Sequence, residues 1–422
     1  VTLPDTVTAI GNYAFQNCSA MTEFVIPAEV TSVGTYVFSG CSNLVSVTLE
    51  SGSRLKTFGN YAFQNCKALE QVELPMTLEE IPDYMFTGCT SLTTVEIPNT
   101  VSDIGRNAFY GCTALQDITI PGNVISIGQS AFEGCENLSS VELIRGITSI
   151  GAAAFRDCAQ LTDIRIVSTI TEIGDNAFSG CTQINYTVEP ESSSYLTDAQ
   201  GVLYDSKMQT LLAVPAVMTG EYVVPDTVTV ITPGVFQNSL VSKVTLPEAI
   251  TEIGEEMFAN TPNLTEVEML GNITYIGKSA FAGSAIQKIT IGKYVTKIDE
   301  SAFDGCTNLQ EVTFEKGGNS GLQIIRYAFR GCTSLQSIEL PRRVRNVETY
   351  NSYGNISSVT AGVGESCFEG CTSLSSVTFE QTGAWLLKEA LSLGKSAFKN
   401  CTSLQSISIP DYVYTRAIGS SY

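Results

Sequence analysis

The chain has 422 residues, of which 43% are hydrophobic, and its formal net charge is −20. A polyanion of this kind repels nucleic acid and anionic membrane surfaces, so we expect neither as a partner. The chain contains no histidine, which excludes Ser-His-Asp and Cys-His nucleophile systems and every imidazole metal ligand. No stretch approaches the roughly 20 apolar residues of a membrane-spanning helix, so we expect no membrane insertion within this sequence.

A phenylalanine recurs along the chain, most often at intervals of 23 residues. The octapeptide GNYAFQNC occurs twice, at 11–18 and 59–66, and alignment on its phenylalanine marks 15 units. The phenylalanines of these units are Phe15, Phe38, Phe63, Phe86, Phe109, Phe132, Phe155, Phe178, Phe236, Phe258, Phe281, Phe303, Phe329, Phe368 and Phe398. Such fixed-period similarity indicates a repeat array rather than two or three globular domains.

One regular unit, from Cys89 to Phe109, reads CTSLTTVEIPNTVSDIGRNAF. Its Val-Glu-Ile segment alternates as a half-buried strand does, with Glu96 facing solvent, and the proline that follows ends the strand. We expect Gly105 to permit a tight corner and the RNAFYGC segment to form one helical or 3-10 turn that places Phe109 in the core. One unit cannot bury its apolar side alone, so the units must stack.

The L-x-x-V-x-I strand pattern resembles a leucine-rich repeat. With IP after the strand, then V-x-x-I-G and AF-x-G-C, it is similar to the BspA-like class of leucine-rich repeat surface proteins over nearly the whole chain. The resemblance implies a leucine-rich repeat solenoid, a right-handed superhelix of short β-strands and short helical or 3-10 turns, with about 15 repeats of 22–23 residues and insertions. We expect an N-terminal array over 1–184, a β-hairpin insertion over 185–225 and a C-terminal array over 226–422, with loop insertions at 342–364 and 380–393.

Both ends of the sequence fall inside a repeat. Val1-Thr2-Leu3-Pro4 matches the end of a strand, and Ile418-Gly419 begins a unit whose phenylalanine does not follow. Solenoids need polar caps over their terminal coils, and neither end has one. We therefore expect the chain to be a fragment of a longer protein.

Twelve of the 13 cysteines lie three residues after a repeat phenylalanine. A row of thiols does not offer the tetrahedral corners that zinc needs, and we predict neither a metal nor a cofactor. Neighbouring coils place Cα atoms about 5 Å apart, within disulfide range, but Ser239, Thr261 and Ser284 take the same place in three consecutive units. We favour a small, weakly polar niche in which a buried thiol donates a hydrogen bond to a corner, with disulfides as the alternative.

The solvent-facing strand positions are polar and acidic, and in leucine-rich repeats this face is usually the concave binding surface. Threonine and glutamate there suit the solubility of an exposed strand. The alternative is an acidic stripe that attracts a basic partner or Ca²⁺ through carboxylate oxygens. The candidate residues of this stripe are Glu73, Glu96, Asp117 and Glu142. Stacking alone places many carboxylates in pairs, so carboxylate spacing does not indicate a glycosidase.

Three interruptions of the repeat are the places where a specific function is most easily added. The first contains GVLYD and MQTLLAVP, which predict two strands of a hairpin around 205–207. The other two hold residue types that are enriched at binding hot spots. The candidate partner-binding residues are Arg342, Arg343, Arg345, Tyr350, Tyr353 and Trp385. We expect these two insertions to leave from one edge and meet in space; the alternative is that Trp385 packs onto the flank of the solenoid.

The sequence favours a non-enzymatic protein, because it has no nucleotide-binding loop and no catalytic cluster. The BspA-like resemblance implies an extracellular or cell-surface role in protein binding or adhesion, with host matrix or cell-surface partners. One alternative is a carbohydrate-binding or polysaccharide-associated surface protein that uses the region of Tyr350 and Trp385. Another is a passive spacer within a larger surface protein. The ligand and the oligomeric state stay open.

Overall fold

The computed structural model describes residues 3–318, 321–350, 356–360, 362–380, 389–409 and 413–415. The chain is a β-solenoid of about 14 turns, which confirms the predicted stack of short strands. It divides into two compact units, Val1–Val217 and Met218–Tyr422. Most regular coils contribute one strand to a first series, at the Val-x-Ile segment, and a two-residue strand to a second series, before the repeat glycine; the Val-Glu-Ile segment at 95–97 forms no strand.

In the first unit, neighbouring strands of both series pair in parallel, with one interruption in each series, after Gln71–Val72 and after Thr57–Phe58. The first series comprises Glu23–Ile26, Ser46–Leu49, Gln71–Val72, Asp117–Ile120, Ser140–Leu143, Asp163–Ile166 and Asn185–Val188. The second series comprises Ala9–Ile10, Ser32–Val33, Thr57–Phe58, Glu80–Ile81, Asp103–Ile104, Ser126–Ile127, Ser149–Ile150 and Glu172–Ile173. In Asp117–Ile120 the two isoleucines are buried while Asp117 and Thr119 are exposed, so each strand has a core side and a solvent side. We call the solvent side of the first series the strand face.

The first unit ends in an antiparallel sheet of three strands, Tyr195–Thr197, Leu203–Asp205 and Thr210–Ala213. Tyr204 is fully buried in it. The carboxylate of Asp205 accepts hydrogen bonds from the amides of Gln209 at 2.7 Å and Thr210 at 3.1 Å. These bonds close the turn between the second and third strands, because they satisfy backbone donors that the turn leaves free.

The second unit repeats the same two series. Its first series comprises Thr219–Val223, Leu240–Leu246, Glu266–Met269, Lys288–Ile291, Glu311–Phe314, Ser337–Leu340, Ser376–Phe379 and Ser406–Ile407. Its second series comprises Val230–Ile231, Glu252–Ile253, Tyr275–Ile276, Lys297–Ile298 and Gln323–Ile324. The insertions add an antiparallel pair, Val347–Tyr350 with Ile356–Thr360, and a parallel pair, Glu389–Leu391 with Val413–Thr415.

The corner around each phenylalanine is a series of hydrogen-bonded turns. The described residues contain no helix or 3-10 turn, and hence none long and apolar enough to cross a membrane. Around Phe109, Asn107 and Gly111 have φ of 54° and 68°, and these left-handed residues direct alternate amides to the next coil. The amide of Asn107 donates to the carbonyl of Gln129 at 2.9 Å, and that of Phe109 to Ala131 at 2.7 Å. The corner is therefore bonded to the next coil as well as within itself, since the amide of Tyr110 also donates to the carbonyl of Asn107 at 3.1 Å.

The repeat glycine has a different role from the predicted tight corner. Gly105 is not among the residues with positive φ. A Cβ atom at Gly105 would lie 2.6 Å from the backbone nitrogen of Asp83 in the preceding coil and 2.7 Å from the carbonyl carbon of Pro82. Glycine is therefore required because two backbones approach too closely for a side chain.

The core of each unit is built on a stack of phenylalanine rings. In the first unit, neighbouring rings from Phe15 to Phe178 have centroids 5.0–5.8 Å apart and planes within 19° of parallel. The stack from Phe236 to Phe398 in the second unit has centroids 4.9–5.4 Å apart. Aromatic pairs of this kind contribute about 0.5–1.5 kcal/mol beyond their buried area. Each ring thus joins its coil to the next.

The cysteine column occupies the niche that the sequence predicts. All 13 cysteines are free thiols. The thiol of Cys66 donates to the carbonyl of Phe38 at 3.0 Å, and that of Cys112 to the carbonyl of Phe86 at 3.2 Å. Burial raises the pKa of the Cys135 thiol to about 12. The Cys135 thiol is therefore protonated at neutral pH, and the buried thiols of the column serve as a set of hydrogen-bond donors.

Candidate functional site: a cleft on the strand face of the second unit

Arg343, the second arginine of the insertion at 342–364, lies inside the coil stack. It is 8% exposed. Its guanidinium donates to the carbonyl of Gly292 at 2.8 Å and to that of Val295, and burial lowers its pKa. These two carbonyls belong to the coil that lies two before that of Arg343. Arg343 therefore holds that coil in place and does not present its charge to a partner.

The other residues predicted in the insertions lie in several settings. Arg342 is partly buried, and its backbone amide donates to a carboxylate oxygen of Glu380 at 3.3 Å. Arg345 is exposed. Tyr350 ends the strand Val347–Tyr350. Tyr353 and Trp385 lie outside the described residues, and partner binding by this set remains a prediction.

The two insertions meet at a buried asparagine that the sequence did not single out. The side-chain oxygen of Asn346 accepts hydrogen bonds from the amides of Gly362 at 3.0 Å and Ser392 at 2.8 Å. Its amide nitrogen donates to the hydroxyl of Ser392 at 2.9 Å. An asparagine gives no clear signal for this role, because the residue is also common in exposed turns.

The four carboxylates predicted as an acidic stripe are all exposed on the strand face of the first unit. Two of them already accept hydrogen bonds: Glu73 from the amide of Leu49 at 3.1 Å and Glu142 from the hydroxyl of Thr119 at 3.3 Å. Asp117 lies opposite Ser140 rather than opposite another carboxylate. Within the described ranges, no three acidic or cysteine side chains are grouped so that they could hold a metal ion.

A recess of about 630 Å³ on the first unit surrounds a buried carboxylate. Glu189 is 5% exposed and accepts hydrogen bonds from the amide of Ser168 at 2.8 Å and from Arg145 Nε at 2.9 Å. Arg165 forms an ion pair with it at 2.8 Å. The Ser168 amide, together with Arg145, lowers the pKa of Glu189. Both arginines thus bind Glu189, which ties together the last regular coils of this unit, and Arg145 also forms an ion pair with Glu191 at 3.0 Å.

The strand face of the second unit opens into a cleft of about 730 Å³. This strand-face cleft is lined by the strands Glu266–Met269 and Lys288–Ile291, by residues 270–273 and 292–295, and by Glu315. The two strands are consecutive in the first series, but they are not hydrogen-bonded to each other. Each is paired with its other neighbour. The coil is one residue shorter here than the preceding one, because Ile289 is eight positions after Phe281 and Val267 is nine positions after Phe258. The same shortening between Phe236 and Val244 leaves that strand paired on both sides.

The two lysines on the walls of the cleft are paired with carboxylates. Lys243 lies 3.1 Å from Glu266 and 3.4 Å from Glu268. Lys288 lies 3.4 Å from Glu311. Exposed ion pairs such as these contribute little to stability. Because the lysines already have carboxylate partners, the cleft does not require a charged ligand to neutralise them.

Two large apolar side chains are exposed in the same cleft, Leu270 at 52% and Tyr294 at 45%. The ammonium group of Lys293 lies 5.2 Å from the centroid of the Tyr294 ring. A carboxylate oxygen of Glu315 accepts a hydrogen bond from the amide of Lys293 at 3.1 Å, which fixes this loop. Exposed apolar side chains within a recess are typical of a binding surface.

Sequence reasoning missed Leu270 and Tyr294, although one signal was present. Leu270 takes the place directly after the strand where regular units such as the one at 89–109 have proline. The insertion at 342–364 does contribute to the cleft, but indirectly. Arg343 binds the carbonyls of Gly292 and Val295, and both of these residues line the cleft.

Stacked coils with an L-x-x-V-x-I strand and an apolar phenylalanine core define a leucine-rich repeat solenoid. Within that class, the chain belongs to the BspA type leucine rich repeat family. The family model, described as a region of 6 copies, matches residues 1–116, 56–185, 229–356 and 318–415, which confirms the resemblance drawn from the strand and corner motifs. Proteins of this family are generally non-enzymatic repeat proteins.

Two solved structures are similar to this chain. A leucine rich cell surface protein from Faecalibacterium prausnitzii is 27% identical, with a TM-score of 0.61, over 90% of this chain and 86% of that one. A leucine-rich repeat protein from Bacteroides ovatus is 23% identical, with a TM-score of 0.43, over 76% of this chain and 88% of that one. No curated protein matches the sequence.

Proposed function

We propose that this chain is a non-enzymatic, extracellular protein-binding module that attaches a cell surface to matrix proteins or to proteins of another cell. The observation that carries the proposal is the strand-face cleft, which exposes Leu270 and Tyr294 while the two lysines on its walls are paired with carboxylates. Membership of the BspA type family supports a protein-interaction repeat. Similarity to a leucine rich cell surface protein supports a surface location.

The energetics of the cleft suit protein recognition. Tyrosine is among the residues enriched at interface hot spots, and truncation of a hot-spot residue costs about 2 kcal/mol or more of binding free energy. Leu270 and Tyr294 follow two strands that are each hydrogen-bonded to their outer neighbour. The Glu315 carboxylate also fixes the backbone next to Tyr294. Little ordering entropy is then lost on binding, which favours affinity.

The test measures binding of the chain to immobilised collagen, laminin and fibronectin by surface plasmon resonance. We expect at least one of them to bind, and Leu270→Glu or Tyr294→Ala to weaken that binding at least tenfold. Ile144→Glu is the matched control, because Ile144 also follows a first-series strand and is also exposed, but lies outside the cleft. Binding that survives both cleft variants would remove the cleft from the proposal. Absence of binding to all three proteins would contradict the proposal and favour the alternative function of a passive spacer.

A second candidate is glycan binding, favoured by the exposed Tyr294 ring together with the amide side chains of Asn272 and Gln287 in the same cleft. Aromatic faces and side-chain amides suit the apolar faces and hydroxyl groups of sugars. On a glycan array, selective binding that Tyr294→Ala abolishes would favour this candidate, and Trp385→Ala tests the alternative region predicted from sequence. A weak, uniform signal across the array would contradict it.

A further inference from the structure

We propose that the strand-face cleft binds an extended peptide segment of the partner protein, whose main chain pairs with the open edges of the two strands that form the cleft. This inference rests on the proposed function and names the form of the ligand. An exposed strand edge presents a row of backbone donors and acceptors. An extended peptide is the ligand whose spacing matches that row, as in recognition by strand addition.

The first observation is that the two strands of the cleft are bonded to each other only just before they begin, where the amide of Gln287 donates to the carbonyl of Thr265 at 3.3 Å. Beyond that point both edges of the cleft lack their usual partner. Where the residue after a first-series strand is not proline, its amide commonly donates to the carbonyl of the last residue of the preceding strand. The amide of Leu270 donates in this way to Leu246 at 3.2 Å, and that of Glu315 to Ile291 at 2.9 Å. The amide of Gly292 does not donate to the carbonyl of Met269, although the structure describes both residues. Backbone groups on both strands therefore remain available to a ligand at the cleft.

The second observation is that space and apolar surface coincide with these open edges. The first series is also interrupted between Glu311–Phe314 and Ser337–Leu340. At the cleft, the interruption is combined with a volume of about 730 Å³, within the usual range for ligand pockets of about 300–1,000 Å³. Leu270 and Tyr294 flank it and are about half exposed.

The charges define the chemistry of the segment. Lys243 is paired with Glu266 and Glu268, and Lys288 is paired with Glu311, so neither lysine needs an acidic side chain from the ligand. The net charge of −20 repels acidic peptides at long range. The expected ligand is therefore an uncharged or weakly basic segment with β-branched or aromatic side chains at alternate positions, which suit both an extended backbone and the apolar flanks.

The experiment uses a phage library of random ten-residue peptides selected on the immobilised chain, followed by affinity measurements on the enriched peptides. We expect peptides with alternating apolar residues, and at least a tenfold loss of affinity with Leu270→Glu or Tyr294→Ala but not with Ile144→Glu. Hydrogen exchange should slow on binding in residues 265–295. A scan of N-methylated peptides should lose affinity at successive residues of the paired segment, because alternate amides of a strand that lies between two neighbours face first one neighbour and then the other.

Failure to enrich any peptide, protection elsewhere on the chain, or an N-methyl scan without loss of affinity along the peptide would each overturn the inference. These outcomes are separate from failure of the proposed function. If a matrix protein binds and the cleft variants abolish that binding, while no peptide binds, then the cleft recognises a folded surface and the protein-binding function stands.

Discussion

Each corner of the array holds two residues with positive φ, one on either side of the repeat phenylalanine. Two residues after the phenylalanine, all 15 units have glycine, asparagine or aspartate, which are the types that tolerate this conformation. Two residues before it, the first four units have tyrosine, a poor choice for a left-handed backbone. These tyrosine rings stack with centroids 4.4–5.2 Å apart. The stacking offsets the backbone strain.

At the repeat glycine, the backbones of two neighbouring coils lie so close together that even the methyl group of alanine has no space. A Cβ atom at Gly128 would lie 2.7 Å from the backbone nitrogen of Arg106. We expect Gly128→Ala to lower the free energy of unfolding by about 1–3 kcal/mol, measured by urea denaturation. Gly11→Ala is the matched control, because Gly11 holds the same repeat place and its Cβ would have no atom within 4 Å. Equal effects of the two substitutions would contradict the close-approach explanation.

The buried carboxylate of Glu189 gives the first unit a pH dependence. Its pKa is lowered in the folded chain, chiefly by the hydrogen bond from the Ser168 amide. A lowered folded pKa means that the stabilisation is present above the unfolded pKa of about 4.3 and is lost as pH falls through the folded value. We expect the Tm of Glu189→Gln to fall less steeply than that of the unchanged chain below about pH 4.3. Glu191→Gln is the control, since this side chain is exposed; a slope unaltered by Glu189→Gln would contradict the assignment.

At the scale of the element, most of the long coils have a glutamate at the same place. Four of the five units that exceed 23 residues have glutamate directly after the first-series strand, and its carboxylate accepts the amide of the residue two places after the preceding strand. The pairs are Glu50 with Ala28, Glu189 with Ser168, Glu315 with Lys293 and Glu380 with Arg342. Their separations are 2.8–3.3 Å. The carboxylate thus secures the end of a coil where the chain departs from the regular path.

We expect Glu50→Ala to lower the free energy of unfolding by about 0.5–1.5 kcal/mol, because it leaves the Ala28 amide without its acceptor at a solvated site. Glu70→Ala is the control, since Glu70 is an exposed glutamate in the same region but not at this place. Urea denaturation measures both. A loss from Glu50→Ala no greater than that from Glu70→Ala would show that the carboxylate does not secure the coil.

Much of the element level follows from the sequence, because the phenylalanines, the strand residues and the thiol niche recur with the period of the coil. The corner conformation does not, since glycine and asparagine suit both a turn within the segment and a left-handed residue bonded to the next coil. Burial of Arg343 is also hidden, because arginine is almost always exposed unless its partners are known. The cleft arises between two coils whose individual sequences look regular, and Leu270 in the place of proline is the signal that the sequence offers.

At the scale of the whole molecule, the free thiols give a test of the coil stack. Burial raises the pKa of the Cys41 thiol to about 11, whereas Cys18 is exposed. In native protein we expect a thiol-reactive chromogenic reagent to modify Cys18 rapidly and the buried cysteines slowly, since the thiolate is the reactive form. Cys18→Ser should remove the fast phase. In unreduced, unfolded protein all 13 thiols should react, and a markedly lower count would support disulfides instead.

Since the phenylalanine stack, the thiol bond and the corner ladder are made by the same repeat places at each regular interface, neighbouring coils are interchangeable parts. A chain that lacks residues 110–132 loses one 23-residue period and brings equivalent places into contact again. Unequal recombination between repeats can therefore lengthen or shorten such an array by whole coils without creating a mismatched junction. The exact duplication of GNYAFQNC fits this mode of growth, in which length evolves separately from the irregular segments that distinguish one array from another.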